Sequence, residues 1–146
     1  AIPITIGGRS PAALRRTASH GDGWLAAWCS PTRFAENVAT IDRLAVDAGR
    51  EVAWQHGYQN WIGIGSDRDD ALARLAPAME QFYRVPFSAF ERYAPAGTPQ
   101  DVADYLTPFA AAGCRTFNLF PIAPTPAAGI EAVAEVKQAL VERVGS

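Results

Sequence analysis

Lysine is nearly absent from this chain: of its 13 basic residues only Lys137 is a lysine, and 15 acidic residues stand against them. A net charge of -2 leaves no basic surface of the kind that nucleic acid or an anionic membrane requires. Without a lysine in a glycine-rich turn there is no G-x-x-x-x-G-K-[ST] phosphate loop. The dinucleotide pattern G-x-G-x-x-G is missing too, and Asp22 lies at the start of a strand, where it could not reach a ribose. Cysteine is scarce. Cys29 and Cys114 are far apart and in no C-x-x-C pattern, so neither a disulfide framework nor a zinc site is expected, and both read as small buried residues. No apolar run approaches the roughly 20 residues of a membrane span, and no basic-then-apolar leader is present; the expected compartment is the cytosol. With 49% apolar and 19% charged residues the composition is that of a globular domain, not of a disordered tail. At 146 residues the chain is one domain's worth, long enough to bury a core.

What the chain does have is a repeated start signal. Ser10-Pro11, Ser30-Pro31, Thr98-Pro99 and Thr125-Pro126 each set a side-chain oxygen at an N-cap and a φ-locked residue at N1, where the missing N–H costs nothing. Ser66-Asp67-Arg68-Asp69 resembles a capping box and makes a fifth start. The expected helix faces are Phe34, Val38, Ile41, Leu44 and Ala48; Leu72, Leu75, Met79 and Phe82; Val102, Leu106 and Phe109; and Ile130, Val133, Lys137 and Leu140. Between them lie strand-like runs: Ile2 to Ile6, Gly23 to Trp28, Tyr58 to Gly65 and Arg115 to Phe120. Strands alternating with helices predict an α/β fold with a parallel sheet. The chain opens inside a βα repeat, so the expectation is of a piece of a larger barrel. Val85 to Pro95 is too aromatic for a flexible linker and is expected on the surface or at a partner interface.

The first strand runs into Gly7-Gly8-Arg9-Ser10 before a capped helix. Such a turn aims backbone N–H groups and a positive helix end at one place, where an anion can sit. Gly7 and Gly8 would allow close approach, Ser10 would offer a hydroxyl and Arg9 a charge; the plainer alternative is a tight βα turn and nothing more. Acid and base candidates are few. His20 and His56 fall near strand beginnings, opposite the ligand-binding ends of a parallel sheet, and read as structural or surface residues. No catalytic residue is identified. Asp22 reads as tying down its own turn, and Asp67, Asp69 and Asp70 as charge complementing a helix dipole. Trp24 and Trp28 are expected on one face of the second strand, with Trp28 at its ligand end; Trp61 lies inside the third strand and Trp54 before it. Phe120, ahead of Pro121, has the same end position as Trp28, so these two rings are the candidate substrate-pocket wall.

Taken in order, Ile4-Thr5-Ile6-Gly7-Gly8-Arg9-Ser10, Gly21-Asp22-Gly23-Trp24, Gly97-Thr98-Pro99-Gln100-Asp101-Val102, Ala112-Gly113 and Phe117-Asn118-Leu119 resemble the C-terminal half of the luciferase-like monooxygenases. That superfamily comprises flavin-dependent and deazaflavin F420-dependent oxidoreductases, and the resemblance covers essentially residues 1–146. It implies strands five to eight of a (β/α)8 TIM barrel, with cofactor phosphate at Gly7, Gly8, Arg9 and Ser10. The implied cofactor is coenzyme F420 or FMN, with the overall pattern closest to the F420-using branch. The implied substrate is a small molecule, with no metal, nucleic acid or membrane involved.

The departure from the family pattern is the absence of strands one to four. The resemblance therefore implies half a site, inactive by itself, with exposed strand edges and an apolar inner face that call for the other half-barrel or for self-association. The alternative reading is a non-catalytic half-barrel that oligomerises and holds no cofactor; a third is a homodimer that rebuilds an eight-stranded barrel and binds an anion at two turns related by symmetry.

Overall fold

A computed structural model of the chain describes residues 2–145. The elements run β1 (Thr5–Gly7), α1 (Pro11–His20), β2 (Gly23–Ala26), α2 (Pro31–Asp47), β3 (Gly57–Ile64), α3 (Arg68–Tyr83), β4 (Ala96–Gly97), α4 (Pro99–Ala111), β5 (Thr116–Ile122) and α5 (Pro126–Val144). The expected α/β alternation and its five helices are present. Strand order is β1-β2-β3-β4, with β5 paired to β3, and the registered pairs are parallel. Among the described residues, 2–59 with 109–118 form one compact unit, and 60–108 with 119–145 a second.

The helices start where the sequence places them because the cap chemistry is local. Ser10, Ser30 and Thr125 each accept a hydrogen bond from the backbone N–H three residues on, at 3.2, 3.2 and 3.1 Å. Thr98 and Asp101 cap reciprocally, Thr98 Oγ1 accepting from Asp101 N–H while the Asp101 carboxylate takes the Thr98 N–H. At α3 the cap is Asp67, not Ser66: its carboxylate accepts from Asp70 N–H at 2.9 Å, and Asp70 in turn takes the Ser66 N–H. The Arg74 guanidinium and the Ser66 N–H hold the Asp70 carboxyl below its ordinary value.

In the first unit, β1 pairs with β2 from Thr5 opposite Gly23 to Gly7 opposite Leu25, and β2 with β3 at Leu25 opposite Gly57. The core is aromatic. Trp24 stacks on Phe34 at 5.5 Å between centroids, Tyr58 on Phe109 at 4.0 Å, and Phe34 meets both Tyr58 and Phe109 edge-on. Each such pair adds about 1 kcal/mol to the area its rings bury. Asp22 differs from the expectation. Its carboxylate accepts the Ile4 N–H at 2.7 Å, and its own N–H donates to the Ile4 carbonyl at 2.8 Å, so it fastens β1 to the start of β2 and leaves its own turn alone.

His56 is buried, with Nδ1 accepting the Trp24 N–H at 3.1 Å and the ring stacked on Trp54. That fits its structural reading, whereas His20 is exposed at the end of α1. Burial lowers the His56 pKa below its ordinary 6.5, and the Asp42 charge opposes the shift only in part. The unfolded chain therefore binds the proton more tightly than the folded one. The contribution of His56 to stability is present above pH 6.5 and is lost as pH falls from 6.5 through the depressed folded value. Urea unfolding at pH 7.5 and 5.5 is expected to show that loss in the wild type and a smaller one in His56→Gln.

In the second unit β4 is a two-residue strand, Gly63 and Ile64 pairing with Ala96 and Gly97. The segment 85–95 forms two short 3-10 turns, Phe87–Ala89 and Glu91–Tyr93, largely exposed, with the Phe87 N–H donating to Glu80 and Phe90 packed on Tyr83. Some helix faces differ from the expected ones. In α5 the buried stripe is Gly129, Ala132, Val136, Ala139 and Leu140, and Ile130 stands 72% exposed; small residues let this helix pack close, and the larger Ile130 is excluded. Phe82 is likewise exposed at the end of α3. No helix among the described residues is long and apolar enough to cross a membrane.

Candidate functional site

The glycine turn lies at the C-terminal end of β1, the end at which parallel α/β sheets present ligand sites. Gly7 closes the strand, and Gly8 has φ +113°, a conformation that a side chain would strain. A Cβ at Gly8 would also lie 3.0 Å from the Cβ of Ala13. The turn is held from β2, since the Trp24 indole N–H donates to the Gly8 carbonyl at 2.7 Å. Ser10 then caps α1, whose first turn carries no acidic residue. The positive end of α1 therefore faces a glycine-lined turn without a carboxylate to neutralise it.

Arg9 and Trp28, distant in sequence, meet here. Arg9 Nη1 donates to the Trp28 carbonyl at 2.7 Å. Trp28 is not on the face of β2 that carries Trp24: the strand ends at Ala26, and Trp28 has φ +55°, which breaks the alternation. Cys29 beside it is buried and accepts the Tyr58 hydroxyl at its carbonyl. Burial raises the Cys29 thiol to about 11 and the Cys114 thiol to about 12, so neither is a thiolate nucleophile at neutral pH.

Phe120 belongs to the second unit. It is 39% exposed and stacks on Trp61 at 5.7 Å, and the Trp61 indole N–H donates to the Tyr83 hydroxyl at 3.0 Å. An open cavity of about 460 Å³ in the same unit is lined by Ser66, Asp67, Thr98, Asp101 and Tyr105, among others. Its carboxylates are committed to helix caps: Asp67 takes the Asp70 N–H, and Asp101 takes both the N–H and the hydroxyl of Thr98, bonds that hold its carboxyl below the ordinary value. Among the described residues no group of His, Cys, Asp or Glu is arranged to hold a metal ion.

One contributor escaped the sequence reading: Trp24, which reads as a core ring and also carries the indole N–H that fixes Gly8. The available signal was the register of the two motifs, which puts Ile6 beside Trp24.

A sequence model of the luciferase-like monooxygenases matches residues 1–143. The chain belongs to that family. Among solved structures, an F420-dependent secondary alcohol dehydrogenase in complex with an F420-acetone adduct superposes with a TM-score of 0.78 at 18% identity, over 96% of this chain and 49% of its own. The coenzyme F420-dependent tetrahydromethanopterin reductase of Methanopyrus kandleri gives 0.75 at 20% identity, over 95% and 51%. EDTA monooxygenase from Chelativorans sp. BNC1 gives 0.68 at 17%, over 97% and 47%. The chain thus spans about half the length of these solved structures. No curated protein matches it. In luciferase-like terms, the shared fold is the parallel strand and helix order described above.

Proposed function

We propose that the chain is the C-terminal half, strands five to eight, of the (β/α)8 barrel of an F420- or FMN-dependent oxidoreductase or monooxygenase. Its part is to supply the cofactor's phosphate turn and a section of the active-site wall. The observation that carries this reading is the turn itself: Gly8 at φ +113° before the capped, carboxylate-free start of α1, at the strand end where barrels bind ligands. A phosphate suits these residues. Gly7 and Gly8 leave room for its oxygens, the Ser10 hydroxyl has a proton to donate, and Arg9 supplies charge and a planar set of donors.

The names of similar structures support F420 or FMN as the group held. Besides the two F420-dependent enzymes, a riboflavin lyase solved with modified FMN superposes at a TM-score of 0.65 and 19% identity. Either cofactor, when bound, supplies hydride transfer or, as reduced flavin, oxygen activation. The residues of this chain bind and orient it: the turn anchors the phosphate, and Trp28, held by Arg9 beside that turn, walls the flat ring or a small-molecule substrate. The other half-barrel completes the site, so the chain alone gives no turnover.

The native mass in the source cells, read by immunoblot against this segment with intact-mass confirmation, tests the proposal. A species of about 250 residues or more, the size of a full barrel, is the expected result. A species at 15.6 kDa would overturn it in favour of a half-barrel that works by association.

A further inference from the structure

We infer, resting on the phosphate-turn reading above, that Arg9 is a positioning residue that couples an anion in the Gly7–Ser10 turn to the backbone of Trp28. Two hydrogen bonds tie the segment that follows β1 to β2 and to the residues just after it, one in each direction. The Trp24 indole N–H donates to the Gly8 carbonyl, and Arg9 Nη1 donates to the Trp28 carbonyl, each at 2.7 Å. Both receiving residues have positive φ, +113° at Gly8 and +55° at Trp28. For a bulky aromatic residue that conformation is an outlier which its surroundings must enforce.

The surroundings of Trp28 do so from both sides. On the C-terminal side the Cys29 carbonyl accepts the Tyr58 hydroxyl at 3.3 Å and Ser30 caps α2 at Arg33. From the side of the turn comes the Arg9 guanidinium. A guanidinium carries five N–H donors, and the bond to Trp28 uses Nη1 alone, leaving Nε and Nη2, the edge that binds oxyanions in a bidentate manner. Among the described residues Arg9 makes no ion pair, so no carboxylate competes for that edge.

An anion on this edge holds the guanidinium against the Trp28 carbonyl, and the fixed Trp28 carbonyl in turn holds the guanidinium at the turn. Coupling of this kind is reciprocal. Lysine could not replace Arg9, because an ammonium is a point charge without a second planar edge. The consequence for specificity is that ligands bearing both a phosphate and a flat ring gain from the two contacts together.

The test is a titration of the full chain with inorganic phosphate, at ionic strength matched with chloride, followed by 15N NMR of the backbone amides. The wild type is expected to show Gly8, Arg9, Ser10, Trp28 and Cys29 shifting with one common midpoint. In Arg9→Gln and Arg9→Lys the Trp28 and Cys29 response is lost, while the Trp24 indole signal keeps its place as a reporter of the folded turn. A merely structural Arg9 would give no phosphate-dependent movement at Trp28. Turn amides that shift in the wild type while Trp28 and Cys29 stay still would overturn the coupling and leave the phosphate reading intact. Phosphate that shifts no turn amide would overturn the phosphate reading and the coupling with it.

Discussion

Gly8→Val is expected to lower FMN affinity at least tenfold. Two causes act together. Valine is β-branched and strongly resists φ near +113°, and its Cβ would meet that of Ala13 at 3.0 Å. If the turn relaxes, the Gly8 carbonyl leaves the Trp24 indole N–H and the backbone N–H groups no longer converge. Backbone strain of this kind costs on the order of 1–3 kcal/mol, so the variant should remain folded at low temperature, where its affinity can be measured by fluorescence titration. Unchanged affinity in a folded variant would remove the phosphate from this turn.

The largest loss of stability is expected at Gly23→Ala, about 3 kcal/mol and roughly 10 °C in Tm. A Cβ there would lie 2.3 Å from the Gln55 carbonyl oxygen and 2.9 Å from its carbon, backbone atoms with little freedom to move. The same stretch carries the Gln55 N–H bond to the Asp22 carbonyl and the Trp24 N–H bond to His56, so displacing it weakens both. Gly49→Ala is the control: nothing lies within 4 Å of its Cβ, and only its φ of +69° opposes the change. Equal thermal shifts for the two variants would show that close backbone approach is not the reason for glycine in Gly21-Asp22-Gly23-Trp24.

Much of this was legible because its causes are local. Ser10, Ser30, Thr98 and Thr125 cap the helices they precede, since a cap needs only its own residue and the next three. The Gly7-Gly8 turn was legible for the same reason. What the sequence hid depends on distant partners. Trp28 reads as a strand residue by alternation, yet Arg9, 19 positions earlier, and Tyr58, 29 positions after Cys29, help to hold it and its neighbour outside β2. Asp22 reads as a turn residue, but its partner is Ile4. The two-residue β4 has no periodicity to detect and exists only through Gly63 and Ile64. In α5 apolar residues extend well beyond one face, around the polar stripe of Glu131, Glu135, Gln138 and Glu142, so spacing alone could not tell that Gly129 and Ala132 face inward and Ile130 outward.

Titrating the chain with FMN and with riboflavin, which has the same ring system and no phosphate, bears most directly on the turn. The expected result is FMN binding at least tenfold tighter than riboflavin, with the difference shrinking as salt screens the phosphate and vanishing in Gly8→Val. Equal affinity for the two, or discrimination that survives Gly8→Val, would mean that Gly7, Gly8, Arg9 and Ser10 do not hold a cofactor phosphate.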